Sequence, residues 1–363
     1  MAGDSNSPLG PWYRPAKRNE RVGGRHGRGE SRGHDPGAQR ILRPGRCPTK
    51  LSARLALLVF ALGCASTADD RAACQKTDAR EALGPVRFQD DTSWCFAFAA
   101  ADLLTYRFRT ELKGERVSDV YTALTYTQMY AGNPYSDAGG LARLTIAAAE
   151  RRGLCPQSVE EDALQRGPLG SLSQKLETLR WLKTLYDRGE TAALDRKLEE
   201  LARSRSIVTA IPRDQLMTAL RDSDRWTFPM VFADLLCGSN RYKPPKTDRV
   251  KSMIKWVSGR RRMLAAIDHQ LSAGNIVAIG YYADFLLLGP DAPGQSRHMS
   301  SLVGRRWNAE RNQCEYLIRN SFGPQCLGYS DAFRTPEKCQ AGHIWVPRSV
   351  LRKNLFSLTY IRP

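Results

Sequence analysis

The chain has 363 residues, with 55 Lys and Arg against 37 Asp and Glu and a formal net charge of +18. That length holds two ordinary domains or one large one with an added element, and a substantial core is within reach. The charge does not describe a nucleic-acid stripe: residues 1 to 54 hold 12 Lys and Arg against 4 Asp and Glu and supply +8 of the total, while the other +10 is spread over the rest of the chain without interleaved aromatics.

The first fifty residues are rich in Gly, Arg, Pro and Ser and too poor in large apolar side chains to offset the entropy of ordering, so residues 1–50 are expected to be disordered. Leu55 to Ala65 is an uncharged run of eleven residues. It is too short to span a bilayer, which takes roughly twenty, but suits the apolar centre of a signal peptide over 51–68, with cleavage near Ala68. A signal peptide begins close to its initiator, so translation is expected to begin near Leu51. Ala-Leu-Gly-Cys ending at Cys64 is similar to bacterial lipoprotein cleavage sites, although Ala61 stands where a large aliphatic residue is usual. Lipid anchoring is therefore the second choice behind release into the periplasm or the medium. Residues 69–85 read as a linker.

Gln89 to Arg109, QDDTSWCFAFAAADLLTYRFR, places a cysteine at the head of a long apolar run. From Cys95 onward, the absence of Gly and Pro, the excess of Ala and Leu, and no β-branched residue before Thr105 predict a buried helix. Ser93 is the candidate cap, which puts Cys95 in the first turn, where unpaired N–H groups and the helix dipole favour a thiolate. Gln89 carries an amide donor that can point at the same reacting atom. On base rates, a cysteine in an apolar helix is a core residue unless a base and an orienter stand elsewhere in the chain.

Val117 to Met129 is helical by its apolar spacing, and Gly139 and Gly140 form a loop that a ligand backbone could approach closely. Leu141 to Arg152 is an amphipathic helix stopped by Gly153. Residues 171–265 read as a helical insertion: Leu172, Leu176, Leu179 and Leu182 share one face, Leu194, Leu198 and Leu201 another. Its RYKPPKTDR is a loop and its GRRR at 259–262 a solvated surface. From Ala273 the chain turns to strands, in NIVAIGYY, CEYLIR and HIWVP. The fold class is therefore α+β, a helical lobe and an antiparallel sheet lobe with a cleft between them.

Setting Cys47 and Cys64 aside leaves seven cysteines; with Cys95 kept free, six remain for three disulfides in an oxidising compartment. Fifteen pairings are open, with Cys326–Cys339 the natural local one. A zinc site from Cys314, Cys326, Cys339 and His343 competes, without tight spacing to support it. No metal and no cofactor is expected.

The sheet half supplies the missing partners: His298 ahead of the strand residues SSLVGRRW, and Asn320 directly after Tyr-Leu-Ile-Arg. His269 falls in a helix and His343 opens a strand, so neither is as well placed. Taken in order, Gln89 with Cys95, Gly139-Gly140, Gly-Leu-Cys-Pro, NIVAIG, His298 and Arg-Asn-Ser-Phe-Gly resemble the papain-like cysteine peptidases over most of residues 86 to 350. The resemblance implies a peptidase domain over 86–363 that cuts peptide bonds through an acyl-enzyme, and the signal peptide makes it an exported one. Cys95 would be the nucleophile, His298 the base, Asn320 its orienter, and Gln89 with the Cys95 N–H the oxyanion donors. Phe322 would shield the Asn320–His298 bond, Gly139 and Gly140 would pair with substrate backbone, and Ala142 and Ile279 would line a pocket.

Some positions depart from the family. Phe96 and Phe322 replace tryptophans, Trp94 precedes the nucleophile, Asp90 to Thr92 lack the usual glycine and cysteine, and Arg297 beside His298 should disfavour imidazolium. The short stretch before Gln89 leaves no room for a large inhibitory propeptide. The partners expected are a peptide or protein substrate, no nucleic acid, and a membrane only through a lipidated Cys64, the chain acting as a monomer. A catalytically silent peptide-binding protein and a transamidase are the alternative functions.

Overall fold

The computed structural model describes residues 71–72, 74–131, 140–160, 171–203, 211–245 and 249–362. The expected disordered segment, the signal peptide with Cys64, and Gly139 lie outside the described residues. One unit of the chain runs from Asp70 to Pro363.

The apolar run after Trp94 forms α1, Cys95–Arg107, buried on every side from Phe96 to Thr105. A helix with no polar face has to lie inside the molecule, and α1 is its central rod. Around it lie α2 (Asp119–Tyr126), capped by the Ser118 hydroxyl on the Tyr121 N–H and continued by a π turn at Thr127–Ala131, and α3 (Ala142–Arg152), closed at Gly153. Then come α4 (Leu172–Asp187), opened by a Ser171–Gln174 capping box, α5 (Thr191–Arg203), α6 (Arg213–Asp222) and α7 (Phe228–Cys237). The leucine faces of α4 and α5 are buried as their spacing predicts, and they belong to the same apolar cluster as α1. The Tyr121 hydroxyl donates to Asp234 of α7, and Cys237 is bonded to Cys155. These helices are thus part of the main core.

The sheet is antiparallel throughout. Its strands are β1 (Thr77–Asp78), β2 (Val250–Ile254), β3 (Val277–Tyr282), β4 (Arg297–Asn308), β5 (Gln313–Arg319), β6 (Cys339–Gln340), β7 (His343–Pro347) and β8 (Leu355–Ile361), in the order β2-β8-β3-β4-β5-β7-β6 with β1 on β4. Three further helices accompany them: α8 (Lys255–Ser272), α9 (Asp284–Leu288) and α10 (Arg348–Asn354). Strand alternation divides the sheet's side chains between two cores. Ala278, Met299, Val303, Leu317 and Trp345 join the helical cluster, while Val277, Ile279, Tyr281, Leu302 and Ile318 pack with Met263, Ile267, Phe285 and Leu351 of the other helices.

This is the α+β architecture expected, with two differences. The end of the supposed insertion is β2, an outer strand paired with β8. The supposed linker carries β1 and Cys74, which is bonded to Cys314 at the start of β5. The third disulfide is Cys326–Cys339, so the cysteines of the alternative zinc site are spent on bridges. Among the described residues no helix is long and apolar enough to cross a membrane.

Candidate functional site

Cys95 is the first helical residue of α1, one place earlier than a Ser93 cap implies. The cap position belongs to Trp94, whose side chain makes no capping bond; its indole is buried, and burying that ring outweighs one hydroxyl contact at an exposed Ser93. The Trp94 carbonyl accepts from the N–H groups of Ala97 and Phe98. The backbone amides of Cys95 and Phe96, which a helix leaves without partners in its first turn, favour the Cys95 thiolate, and so does the backbone of Met299 in β4. Cys95 is half-buried and is the free cysteine among the described residues.

Met299 follows His298, which opens β4. Asp284 fixes the approach to this strand, its carboxylate accepting from the backbone N–H groups of Gln295 and Ser296 and from the Ser296 hydroxyl. The His298 Nε2 lies 2.7 Å from Asn320 Oδ1. The orientation of that amide is fixed by its other contacts: the Ser321 backbone N–H, which can only donate, reaches Oδ1 at 2.9 Å, and Asn320 Nδ2 donates to the Tyr329 hydroxyl at 2.9 Å. An acceptor facing Nε2 requires that nitrogen to carry the proton, which leaves Nδ1 with a free lone pair. Phe322 covers the imidazole, ring centroids 4.7 Å apart, and Tyr281 meets it edge-on at 5.7 Å. The expected shield is in contact with the imidazole.

Three participants go beyond the expected set. The Ser300 hydroxyl donates to Asn320 Oδ1 at 3.0 Å and lies 2.9 Å from the Tyr281 hydroxyl, which must then be the donor of that pair because Ser300 has one hydrogen to give. Tyr329 holds the far side of the same amide. Period-two alternation carries the signal for Ser300, since residues 298 and 300 share a face of any strand through them. Nothing comparable marks Tyr329, nine residues from its partner in an irregular loop.

Gln89 is fastened to the same segment. Its backbone N–H donates to the Ser321 carbonyl, its Oε1 accepts from the Ser321 hydroxyl at 2.5 Å, and its Nε2 donates to the Thr92 carbonyl at 2.7 Å. One amide hydrogen is therefore committed to the chain and one is left for a ligand. Gly140 lies against α1: a Cβ there would stand 2.4 Å from the Phe96 ring, so packing alone requires glycine. Ala142 and Ile279 are 1% and 0% exposed, each inside a core, and neither presents surface to a groove. Their place in a pocket was inferred from order along the chain, which does not report which way a strand or helix faces.

Burial governs the electrostatics. It pushes the Cys95 thiol up to about 11 against the lowering effect of the backbone amides of Met299, Phe96 and Cys95. It pulls the His298 imidazole down to about 4, opposed by the bond to Asn320. Arg297 is not among the causes; its guanidinium lies over the Phe356 ring, 5.9 Å from the centroid. Near pH 7 Cys95 rests as a thiol and His298 as a neutral imidazole, and the dipole preference for thiolate is outweighed by desolvation.

Behind the pair, Asp102 of α1 accepts from the Ser301 hydroxyl at 2.9 Å and from Arg319 Nε at 3.1 Å, binding the helix to β4 and β5. A cavity of about 10 Å³ lies there among Asp102, Ser300, Ser301, Arg319 and Asn320, the size of one water and far too small for a peptide side chain. A free thiol at a helix start, an imidazole held by an amide oxygen and an uncommitted amide hydrogen are the residue types that acyl transfer uses.

No family model matches the chain, and no curated protein matches it. Among solved structures it is similar to PepW from Lactobacillus rhamnosis, with a TM-score of 0.42 and 14% identity over 86% of this chain and 93% of that one. It is likewise similar to xylellain, a cysteine protease from Xylella fastidiosa, with a TM-score of 0.44 and 14% identity over 79% of this chain and 86% of that one. Digestive procathepsin L 3 of Tenebrio molitor gives 0.44 and 12% over 79% and 69%. Similarities this distant leave the functional reading to the geometry of the site.

Proposed function

We propose that the protein is an exported, papain-like cysteine peptidase that hydrolyses peptide bonds through Cys95. The observation that supports this reading is the meeting of two elements: the backbone of Met299 in β4 favours the Cys95 thiolate at the start of α1, and Met299 is the neighbour of a histidine whose Nε2 is held by Asn320. With Nε2 protonated, the Nδ1 lone pair of His298 takes the thiol proton as the sulfur attacks the scissile carbonyl. The oxyanion receives the Cys95 N–H and the uncommitted Gln89 amide hydrogen. Collapse breaks the C–N bond, and the proton on Nδ1 goes to the leaving amine. Water, deprotonated by the same nitrogen, then cleaves the thioester and restores the thiol. Gly139 and Gly140 would run beside the substrate backbone. Three disulfides support an oxidising compartment, periplasmic or extracellular.

The protonated resting thiol favours one second reading, a silent peptide-binding protein on the same fold. The two are separated by incubating the protein with a peptidyl epoxide and with a peptide library. The peptidase reading expects stoichiometric modification of Cys95, cleavage of library members, and loss of both in Cys95→Ala and His298→Ala. Peptide binding with neither modification nor cleavage overturns it in favour of the binder. An amine-transfer product in place of hydrolysis would assign transamidation.

A further inference from the structure

β2 is the outer strand of the sheet and passes directly into α8, so residues 254–262 turn a corner at the sheet's edge. Gly259, at φ 70° and ψ 151°, interrupts the helix after its first turn, and no atom lies within 4 Å of where its Cβ would stand. On this corner Ile254 is 46% exposed, Trp256 86% and Val257 77%. Single exposed apolar residues are ordinary, but three in four consecutive positions form a patch.

Along the chain from 249 to 267 the charge has one sign. Arg249, Lys251, Lys255, Arg260, Arg261 and Arg262 flank the patch, and no Asp or Glu occurs from 249 to 267. Lys255 lies over the Trp256 ring at 4.8 Å, and Arg260 Nε donates to the Leu355 carbonyl. Lys251, Lys255, Arg261 and Arg262 form no ion pair with a described residue. GRRR alone reads as solvated surface; beside an exposed indole and two aliphatic side chains it reads differently.

We propose that this corner is a docking surface for an anionic phospholipid bilayer. Trp256, Val257 and Ile254 enter the headgroup and upper acyl region, and the basic side chains meet lipid phosphates. An indole suits that boundary because one edge is polar and the rest apolar. A nucleic acid would answer the charge equally well, but Val257 and Ile254 would gain nothing from a phosphodiester backbone, whereas acyl chains bury them. The inference stands apart from the chemistry of Cys95.

The test is co-sedimentation of the full-length protein with vesicles of phosphatidylcholine alone and of phosphatidylcholine mixed with phosphatidylglycerol. Binding to the mixed vesicles, weakening with salt, is expected. Each basic side chain removed should weaken it about fivefold, so Arg261→Ala/Arg262→Ala binds on the order of twentyfold more weakly. Trp256→Ser/Val257→Ser should lose roughly tenfold or more. Both double variants should keep the wild-type unfolding midpoint, since the altered side chains face solvent. Inorganic phosphate at matched ionic strength should leave the binding intact; displacement by it would assign a free-anion site and overturn the proposal. It is equally overturned if neither vesicle is bound, if neutral vesicles bind as well as charged ones, or if both variants sediment like the wild type, which would put the contact elsewhere, as in the apolar run at 55–65. Retention on duplex DNA, or self-association in light scattering, with vesicles ignored, does the same.

Discussion

Ser300 adds a third contact to the amide that holds the His298 imidazole. Its hydroxyl links the buried Tyr281 phenol to Asn320 Oδ1, so Ser300→Ala removes one bond to the orienting amide and leaves the phenol unsatisfied. We expect a loss of about 1 to 3 kcal/mol in urea unfolding, together with slower modification of Cys95 by the peptidyl epoxide. A variant as stable and as reactive as the wild type would remove Ser300 from the positioning network. Cys95 itself gives a second expectation. With its thiol raised to about 11 and His298 lowered to about 4, the rate of iodoacetamide alkylation should climb steadily with pH through neutrality. A plateau beginning near pH 4 would instead report a preformed thiolate–imidazolium pair.

At the scale of elements, α1 owes its start to Trp94 and its depth to the absence of charge before Asp102. That helix, and the leucine faces of α4 and α5, are legible in sequence because an uninterrupted apolar run or a stripe of period 3.6 has few other solutions. β2 is not legible. VKSMI is short and carries a lysine, and what makes it a strand is β8, a hundred residues away. The place of Gly140 is legible as a loop but not as a packing requirement, since the Phe96 ring that fills the missing Cβ's space lies far back in sequence. Gly140→Ala should therefore cost about 1 to 3 kcal/mol in thermal or urea unfolding, and Phe96→Leu in the same chain should recover part of it. If the alanine is tolerated without loss, the close contact is not a constraint.

For the whole molecule, two buried histidines set the response to acid. His298 and His343 are both held at about 4, the first by burial opposed by Asn320, the second by burial with Arg319 and Arg80 adding to it. The unfolded chain protonates both near 6.5, so as pH falls below that value it takes up protons the folded chain refuses. Stability is therefore intact above about pH 6.5, is lost progressively down to about 4, and the histidine contribution levels off beneath that, at roughly 3 kcal/mol for each group. Urea unfolding across this window should show the slope, with His343→Gln removing its share; a flat profile would mean that neither imidazole is shielded. Six cysteines in three bridges are legible as a number, and Cys326–Cys339 as a neighbourly pair, but Cys74–Cys314 joins positions 240 residues apart and is visible only once β1 lies on β4. That bridge closes a ring over residues 74–314, and Cys155–Cys237 ties a smaller ring inside it. A single cut by another hydrolase anywhere between 75 and 313 therefore releases no fragment. Such clipped molecules should migrate as one band on a gel without reductant and separate into two once thiol is added, so the damage would pass unnoticed until the bridges are opened.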